Sequence, residues 1–358
     1  MAILVTGGAG FIGSNFVLDW LRLGLGPVVN VDKLTYAGNL QNLASIAGEP
    51  THQFVRADIG DRDTIRRLLD EHGVTAIVNF AAETHVDRSI HSPGEFLRTN
   101  VQGTFALLEA ARTYYDTLAE SAKRSFRFIN ISTDEVYGSL TPQAPAFTET
   151  SPYHPSSPYS ASKAAADHLC RSYFATYGLP VVTTNCSNNY GPYQFPEKLI
   201  PLMIRNAMRG EPLPVYGDGG NVRDWLYVGD HCAAIREVLS NGRIGETYNV
   251  GGNAERTNME VVEALCDILA DLSGDGDSGR YRELITFVAD RPGHDRRYAV
   301  DAGKIRDELG WEPAETFETG LRQTVQWYLD NEAWTDSVET GEYREWLETN
   351  YELRASNS

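Results

Sequence analysis

Residues 2–13 read Ala2-Ile-Leu-Val-Thr-Gly-Gly-Ala-Gly-Phe-Ile-Gly13, and this stretch decides the fold. Its first five residues form a short apolar run, which predicts a strand. The apolar residues Ile12, Phe16 and Trp20 then recur at helical spacing, so a helix follows the glycines. A strand, a glycine-rich turn and a helix in this order predict a β-turn-α unit.

Runs of the same kind continue through the first half of the chain. We predict strands at 27–32, 53–58, 76–81, 127–133 and 181–185, and helices near 62–72, 95–118 and 159–177. Strands that alternate with helices of this length indicate a parallel, doubly wound sheet of the Rossmann type, in the α/β class. Active-site residues are then expected at the carboxyl ends of the strands.

The second half predicts a smaller domain that interleaves with the first. The chain of 358 residues is too long for a typical single domain and too short for three. Residues 224–230 and 247–251 are interpreted as strands that return to the first domain, and helices over 304–311 and 317–329 are expected to pack on the second. We predict a Rossmann domain of residues 1–187 and 225–252, a C-terminal substrate domain of residues 188–224 and 253–345, and a polar tail of residues 346–358.

The composition is that of an ordinary globular protein with an acidic surface. Hydrophobic residues make up 42% of the sequence, and the formal net charge is -18. This charge would repel a phosphate backbone, so nucleic acid is not an expected partner. No apolar run is long enough to span a bilayer and the first residues lack the features of a signal peptide, so we predict a cytoplasmic protein without a membrane partner.

Two further features of the composition bear on redox state and environment. The four cysteines have neither the paired spacing of a zinc site nor the density of a disulfide scaffold, so reduced thiols and no metal site are expected at Cys170, Cys186, Cys232 and Cys266. Lysine is scarce and occurs only at Lys33, Lys123, Lys163, Lys198 and Lys304. This scarcity is compatible with a salt-adapted surface, and equally with a genome that favours arginine.

The glycines of the first turn indicate a dinucleotide site. Gly7, Gly10 and Gly13 permit a tight turn and a close approach of pyrophosphate to the helix N-terminus. Asp32, at the end of the second predicted strand, can accept the ribose hydroxyls, and its charge favours NAD over NADP. Lys33 weakens that preference. The alternatives are a purely structural glycine turn and a carboxylate that caps a strand end.

Two later strand ends fit the same site by position. Asp58 could meet an adenine amino group and Ile59 could pack on the ring. Ala81 and Ala82 are small enough to let the backbone pass close to a cofactor. Ordinary strand ends would explain each of these pairs nearly as well.

Tyr159 and Lys163 suggest a base for hydride transfer. Ser157 and Pro158 predict a helix start, which places Tyr159 and Lys163 one turn apart on the same face. An ammonium group there can stabilise a phenolate, which makes the tyrosine a usable base.

The adjacent carboxyl groups of Asp134 and Glu135, preceded by Thr133, add an acid and a base that simple alcohol oxidation would not need. They therefore indicate an oxidation that is coupled to elimination. Their opposite roles would require different pKa values, which burial and mutual repulsion can produce. The alternative is that both carboxyl groups end a strand in solvent.

Several motifs together resemble one family. These are Asp32-Lys-Leu-Thr-Tyr-Ala-Gly-Asn39, Ala82-Glu-Thr-His-Val-Asp-Arg-Ser89, Ser132-Thr-Asp-Glu-Val-Tyr-Gly138, Asn185-Cys-Ser-Asn-Asn-Tyr-Gly-Pro192 and Asp290-Arg-Pro-Gly-His294. With the glycine loop and the Tyr159/Lys163 pair, they closely resemble the dTDP-glucose 4,6-dehydratase family of the extended short-chain dehydrogenase/reductase superfamily. The resemblance covers the chain from residue 7 to about 300.

This resemblance implies a hydro-lyase with tightly bound NAD. Tyr159 would take the proton of the sugar C4 hydroxyl while hydride passes to NAD, with Thr133 bonded to the same oxygen and Lys163 tuning the phenol. Glu135 would then remove the C5 proton and Asp134 would protonate the leaving C6 hydroxyl. Hydride would return to C6, giving a 4-keto-6-deoxy sugar nucleotide for deoxysugar biosynthesis, such as that of dTDP-rhamnose.

The resemblance also implies the binding residues and a homodimer formed through the helices near 95–118 and 159–177. For the cofactor they are Gly7, Gly10, Phe11, Ile12, Gly13, Asp32, Lys33, Leu34, Thr35, Asp58, Ile59, Ala81, Ala82, Thr99, Tyr159, Lys163 and Asn189. For the nucleotide sugar they are Thr84, Thr133, Asn188, Lys198, Leu199, Pro214, Val215, Tyr216, Arg223, Asn258, Asp290, Arg291 and His294.

Some points depart from the family pattern or leave the function open. Thr84 replaces the usual serine, and the stretch 138–152 is shorter than in many relatives. A dehydratase of another nucleotide hexose such as UDP-glucose, a nucleotide-sugar 4-epimerase and a catalytically silent NAD-binding regulator are the competing readings. The epimerase would not need the acid and base at 134 and 135, and the regulator should have lost catalytic residues that this chain keeps.

Overall fold

The computed structural model describes residues 2–274, 276–291 and 293–338. The predicted tail at 346–358 and part of the second domain lie outside these residues. The strands are β1 (Ala2–Thr6), β2 (Val28–Asp32), β3 (His52–Arg56), β4 (Val74–Asn79), β5 (Arg127–Thr133), β6 (Val181–Cys186), β7 (Asn188–Tyr190), β8 (Leu213–Tyr216), β9 (Val222–Tyr227), β10 (Thr247–Val250), β11 (Glu255–Thr257) and β12 (Ile285–Val288).

Helices connect these strands. They are α1 (Phe11–Arg22), α2 (Arg62–His72), α3 (Val86–His91), α4 (Pro93–Phe96), α5 (Thr104–Thr117), α6 (Glu120–Ser125), α7 (Pro158–Tyr177), α8 (Leu199–Arg209), α9 (Val228–Asn241), α10 (Asn258–Ser273), α11 (Gly279–Arg282), α12 (Gly303–Leu309), α13 (Phe317–Asp330) and α14 (Glu332–Val338). Within the described ranges, no helix is long and apolar enough to cross a bilayer.

Seven parallel strands form the central sheet in the order β10-β6-β5-β4-β1-β2-β3. The strand order reverses between β1 and β4, which opens a crevice at the carboxyl ends of these strands. The predicted Rossmann-type sheet is therefore confirmed. The observed β3 and β4 end two residues before the predicted 53–58 and 76–81, because residues 57–58 and 80–81 leave the sheet to line that crevice.

Helices cover both faces of the central sheet. On one face α1 and α9 pack together, and on the other α2, α5 and α7 do so. The buried strands are nearly continuous apolar runs, as a sheet covered on both sides requires. Phe16 and Trp20 of α1 lie in the core on the first face, as their helical spacing predicts.

The strands outside the central sheet form a second region. It holds a three-stranded sheet in the order β11-β9-β7 and a parallel pair formed by β8 and β12. Helices α8, α10 and α13 enclose a separate apolar core that includes Ile204, Leu265 and Leu321. The division into two domains by residue number stays a prediction.

Two expectations about this region are wrong. The segment 224–230 does not return to the first domain as a strand: β9 pairs with β7 and β11, and it is the following helix α9 that packs on α1. Helix α12, predicted over 304–311, does not pack on the second region either. Ile305 and Trp311 bury themselves in the core beside α9 and β10, because the chain returns to the edge of the central sheet before α13.

The helix predicted near 95–118 is interrupted. A short α4 is followed by a wider π-helical segment, Leu97–Gly103, before α5 begins. Asn100 in that segment accepts a bond from the Glu83 backbone N–H (2.8 Å) and donates to the Glu83 carbonyl (2.9 Å) and to Ser162 Oγ (2.9 Å). The hydrogen bonds of Asn100 therefore connect the loop after β4 to α7. The π-helical segment also places Thr99 at the wall of the crevice.

Candidate active site

The crevice at the carboxyl ends of β1, β2, β4 and β5 holds a cavity of about 270 Å³. Every residue predicted to bind the cofactor lines it except Leu34. The lining residues are Gly7, Gly10, Phe11, Ile12, Gly13, Asp32, Lys33, Thr35, Asp58, Ile59, Ala81, Ala82, Thr99, Tyr159, Lys163 and Asn189. The sequence prediction therefore selects residues that the fold brings together.

The glycine loop has no room for side chains. Gly7 has a φ of +70°, and a Cβ there would lie 2.7 Å from the Ala81 backbone nitrogen. A Cβ on Gly13 would lie 2.3 Å from the Gly7 carbonyl oxygen. Backbone and the amino-terminal end of α1 therefore form this wall of the cavity, which suits a pyrophosphate group.

Asp32 links the glycine loop to the loop after β2. Its Oδ2 accepts from the Ala9 backbone N–H (3.0 Å) and its Oδ1 from that of Leu34 (2.8 Å). Burial raises the pKa of Asp32, and these two backbone hydrogen bonds oppose the rise. Leu34 was predicted to bind the cofactor, but it does not line the cavity. Its side chain packs against the apolar core, and only its backbone, with a φ of +57°, takes part in the turn.

Lys33 is held by groups on the far side of the crevice. Its Nζ donates to Thr99 Oγ1 (3.0 Å) and lies 3.6 Å from Asp58 Oδ2. These partners balance the lysine charge beside Asp32. The doubt that Lys33 raised about cofactor choice is thereby reduced, since a 2′-phosphate would face carboxylates as well as the ammonium.

A second cavity of about 170 Å³ adjoins the first, and both are lined by Glu135, Asn188, Glu197 and Lys198. Ten of the predicted substrate residues line the second cavity, namely Asn188, Lys198, Leu199, Pro214, Val215, Tyr216, Arg223, Asn258, Arg291 and His294. Thr84 and Thr133 line the first. Asp290 lines neither cavity: its Oδ1 accepts from the Arg291 backbone N–H (2.8 Å) and lies 2.5 Å from His294 Nδ1.

Three cations meet at the second cavity of this acidic protein. Lys198 Nζ donates to the Thr84 carbonyl oxygen (3.1 Å). Arg223 lies over the Tyr298 ring at 4.3 Å and donates to the Asp295 carbonyl oxygen (3.0 Å). With Arg291, they form the local positive charge that a diphosphate requires.

Sequence reasoning missed several residues of this wall. Asp87 accepts from the Tyr216 hydroxyl (3.1 Å) and lies 3.6 Å from Arg291 Nη1, so it orients two predicted substrate residues. Glu197 accepts from Arg88 Nε (3.1 Å) and lines both cavities. Asp87 lies inside the motif 82–89, and Glu197 lies shortly after the motif 185–192. These positions in the sequence could have indicated that both residues belong to the site.

The five predicted catalytic residues come together at the end of β5 and the start of α7, and all line the first cavity: Thr133, Asp134, Glu135, Tyr159 and Lys163. A capping box between Ser157 and Ser160 fixes the start of α7, as the sequence predicts. The Lys163 ammonium donates to the Ile131 carbonyl oxygen (2.7 Å), which ties α7 to β5.

The two adjacent carboxyl groups have different surroundings. Burial and the nearby charge of Glu135 raise the pKa of Asp134 well above its usual range, and its Oδ2 is buried without a hydrogen-bond partner among the described residues. Burial also raises the pKa of Glu135, but Arg291, Lys198 and Arg223 oppose this rise, so it is smaller than that of Asp134. The arrangement therefore favours a protonated Asp134 beside an ionised Glu135.

Tyr159 and Lys163 are both shifted toward their neutral forms. Burial, and next the charge of Glu135, raise the pKa of the Tyr159 phenol well above its usual value, while a hydrogen bond with Thr133 acts in the opposite direction. Burial lowers the pKa of Lys163, and Asp167 opposes this. A positive charge brought beside the phenol would favour its ionised form.

The four cysteines are free thiols, and all are buried. In residues 2–274, 276–291 and 293–338 no group of three His, Cys, Asp or Glu side chains is placed to hold a metal ion.

Comparison with known proteins gives consistent matches. A model of the GDP-mannose 4,6 dehydratase family matches residues 4–324. The dTDP-glucose 4,6-dehydratase of Xanthomonas campestris pv. campestris (strain B100) is 63% identical over 342 residues, which make up 95% of this chain and 97% of that protein. These matches include both cavities.

Two solved structures are also similar to the chain. The dTDP-glucose 4,6-dehydratase of Bacillus anthracis str. Ames, solved in complex with NAD, has a TM-score of 0.84 and 50% identity, covering 95% of this chain and all (100%) of that one. The dTDP-glucose 4,6-dehydratase of Streptomyces venezuelae, solved with NAD and a second ligand bound, has a TM-score of 0.86 and 48% identity with the same coverage.

The unequal surroundings of the two carboxyl groups predict a protonated carboxylic acid at neutral pH. Infrared difference spectroscopy should detect its carbonyl band in the native protein. The band should disappear in Asp134→Asn and persist in the matched variant Glu135→Gln. A band that is lost only in Glu135→Gln would place the proton on Glu135. This result would contradict the predicted protonation of Asp134.

Proposed function

The chain belongs to the GDP-mannose 4,6 dehydratase family, and we propose that its activity within that family is the NAD-dependent dehydration of dTDP-glucose to dTDP-4-keto-6-deoxy-glucose. The observation that carries the proposal is the pair of carboxyl groups beside Tyr159, of which Asp134 is acted on by one cation, Arg223, and Glu135 by three. This pair supplies both the acid and the base of an elimination. Relatives of high identity with the same activity support it.

The first cavity fits NAD. The glycine loop leaves room for a pyrophosphate, Asp32 can accept from the ribose hydroxyls, and the wall from Asp58 to Ile59 suits the adenine. When bound, NAD supplies the hydride acceptor for C4 and the later hydride donor for C6, and its positively charged oxidised ring favours ionisation of the nearby phenol. No net cofactor is consumed, so tight binding is expected.

Tyr159, Thr133 and Lys163 act on the C4 hydroxyl. Tyr159 accepts its proton, Thr133 holds the same oxygen by a hydrogen bond, and the ammonium of Lys163 favours the ionised phenol. All three line the first cavity. The product of this step is a 4-keto sugar, whose C5 hydrogen is acidic.

Glu135 and Asp134 carry out the elimination. Glu135, whose ionised form is favoured by Arg291, Lys198 and Arg223, removes the C5 proton. Asp134, whose pKa is raised by burial and by Glu135, donates its proton to the leaving C6 hydroxyl, and water departs. When hydride has returned to C6, Glu135 gives a proton back to C5, which completes the 4-keto-6-deoxy product. An epimerase would have no use for this pair, which favours dehydration over 4-epimerisation.

The second cavity holds the nucleotide diphosphate. Arg223, Arg291 and Lys198 bind the diphosphate oxygens, and Tyr216 packs on the base. Similarity to dTDP-glucose dehydratases supports thymine over uracil. Use of the product in deoxysugar biosynthesis, as in the formation of dTDP-rhamnose, and a cytoplasmic location stay proposals.

A homodimer is proposed through the segment 97–117 and α7. Leu97 and Phe105 lie two helical turns apart and are 54% and 45% exposed, so this segment presents apolar surface that a partner could cover. The segment packs beside α7 on the outside of the sheet. A second copy of this chain would cover these side chains and stiffen α7, which carries Tyr159.

Incubating the protein with dTDP-glucose in D₂O tests both the substrate and the roles of the two carboxyl groups. The native protein should release product that has lost one water and carries deuterium at C5, and UDP-glucose should react at least about tenfold more slowly in kcat/KM. Glu135→Gln should still form the 4-keto sugar without C5 exchange. Asp134→Asn should exchange C5 while water loss falls about a hundredfold.

The outcome of the same incubation can contradict the proposal. A normal rate of 4-keto-6-deoxy product in the double variant Asp134→Asn/Glu135→Gln would remove both carboxyl groups from the mechanism. A C4 epimer without water loss in the native protein would favour the epimerase. Mass spectrometry and proton NMR distinguish these results.

The dimer is tested by Leu97→Glu/Phe105→Glu. Charged side chains on the proposed interface should convert a dimer into a monomer at micromolar concentration, measured by sedimentation velocity. Phe287→Glu is the matched control, because Phe287 is equally exposed on β12, away from this face. A dimer that survives the double substitution, or a native monomer, would contradict the proposal.

A further inference from the structure

A row of polar side chains crosses the otherwise apolar centre of the sheet. Thr6, Asn79 and Asn130 occupy neighbouring positions on β1, β4 and β5, since Thr6 pairs with Asn79 and Asn79 with Asn130. Each is at most 1% exposed. Buried polar groups at such a place destabilise the core unless they are fully bonded, so the row calls for a physical explanation.

All hydrogen bonds in this row point the same way. Thr6 Oγ1 donates to Asn79 Oδ1 (2.7 Å), and Asn79 Nδ2 donates to Asn130 Oδ1 (3.3 Å). Asn130 Nδ2 donates to Asp167 Oδ1 (2.9 Å) on α7. A chain of donors with one direction is polarised toward its end, and that end is a carboxylate.

Asp167 collects two further donors. Ser132 Oγ (2.7 Å) and the Tyr153 hydroxyl (3.2 Å) both donate to its Oδ2. Three hydrogen bonds to the charged form favour an ionised carboxyl group, although burial raises the pKa of Asp167 to about 6. The group is therefore negative at neutral pH despite being almost fully buried.

Lys163 lies one helical turn before Asp167 on the same face of α7. The other titratable groups that act on Lys163 are the thiols of Cys170 on α7 and Cys186 on β6, and burial raises the pKa of both, so they are neutral. The phenols that face Asp167, Tyr153 and Tyr137, are neutral for the same reason. Asp167 is thus the carboxylate that balances the buried ammonium.

We propose that Asp167 is a positioning residue for the reaction, which keeps Lys163 protonated at the cavity wall, and that the row from Thr6 to Asn130 holds this carboxylate. Asp167 lines neither cavity. It acts through Lys163. The row begins at Thr6, which directly precedes Gly7. The same hydrogen bonds therefore connect Asp167 to the start of the glycine loop.

The small number of lysines allows a direct test. The chain has five, so a protein labelled with ¹³C at lysine Cε gives few resonances, and Lys163→Arg assigns the one of interest. We expect the pKa of Lys163 to fall by at least about one unit in Asp167→Asn. The alkaline limb of the pH dependence of kcat should move to lower pH by the same amount.

Tyr153→Phe is the matched control, because it removes one donor to Asp167 without removing the charge. It should leave the pKa of Lys163 within about 0.3 units of the native value. An unchanged Lys163 pKa in Asp167→Asn, or an equal fall in Tyr153→Phe, would overturn the proposal. The NMR measurement needs no substrate, so its result does not depend on the proposed function. Only the kinetic measurement rests on that function.

If Asp167→Asn does not fold, the native protein still decides the question. The Lys163 resonance should show a second inflection near pH 6, where Asp167 titrates. This inflection should persist in Glu135→Gln, which removes one of the two carboxyl groups beside Tyr159. A resonance that passes through this range without an inflection would overturn the proposal.

Discussion

The unequal charge around two neighbouring carboxyl groups is the constraint on which the site depends. Asp134 and Glu135 follow β5 directly, so the end of one strand places both in the first cavity, and Glu135 also lines the second. Asp134 is 2% exposed and is raised in pKa by burial and by Glu135, whereas three cations act on Glu135. One residue is thereby fitted to donate a proton and the next to accept one.

This constraint explains features that lie farther away. A protein with a net charge of -18 must concentrate its cations where the anionic substrate binds, and Lys198, Arg223 and Arg291 do this. Asp87 orients Arg291 and Tyr216 at the same time. The cations proposed to bind the diphosphate also favour the ionised form of Glu135, so in the proposed reaction substrate binding and the choice of base depend on one set of charges.

The sequence predicted the parts that follow from local rules. The glycine loop, Asp32 and the Tyr159/Lys163 pair are fixed by turn geometry, strand ends and helical spacing, and the structure brings them to one cavity. Pairing of β9 and the packing of α12 depend on long-range contacts that no local pattern contains. Leu34 was misplaced because sequence does not show which side of a turn faces the core, and Asp167 was missed because its donors come from distant strands.

In the proposed reaction, one site oxidises C4, eliminates water and reduces C6 without releasing the sugar. This can be measured with dTDP-glucose deuterated at C4 and mixed with an equal amount of substrate that carries ¹³C in the ring. Deuterium should appear at C6 of the unlabelled-carbon product alone. Deuterium in the ¹³C product, or its loss to solvent, would contradict transfer within a single closed site.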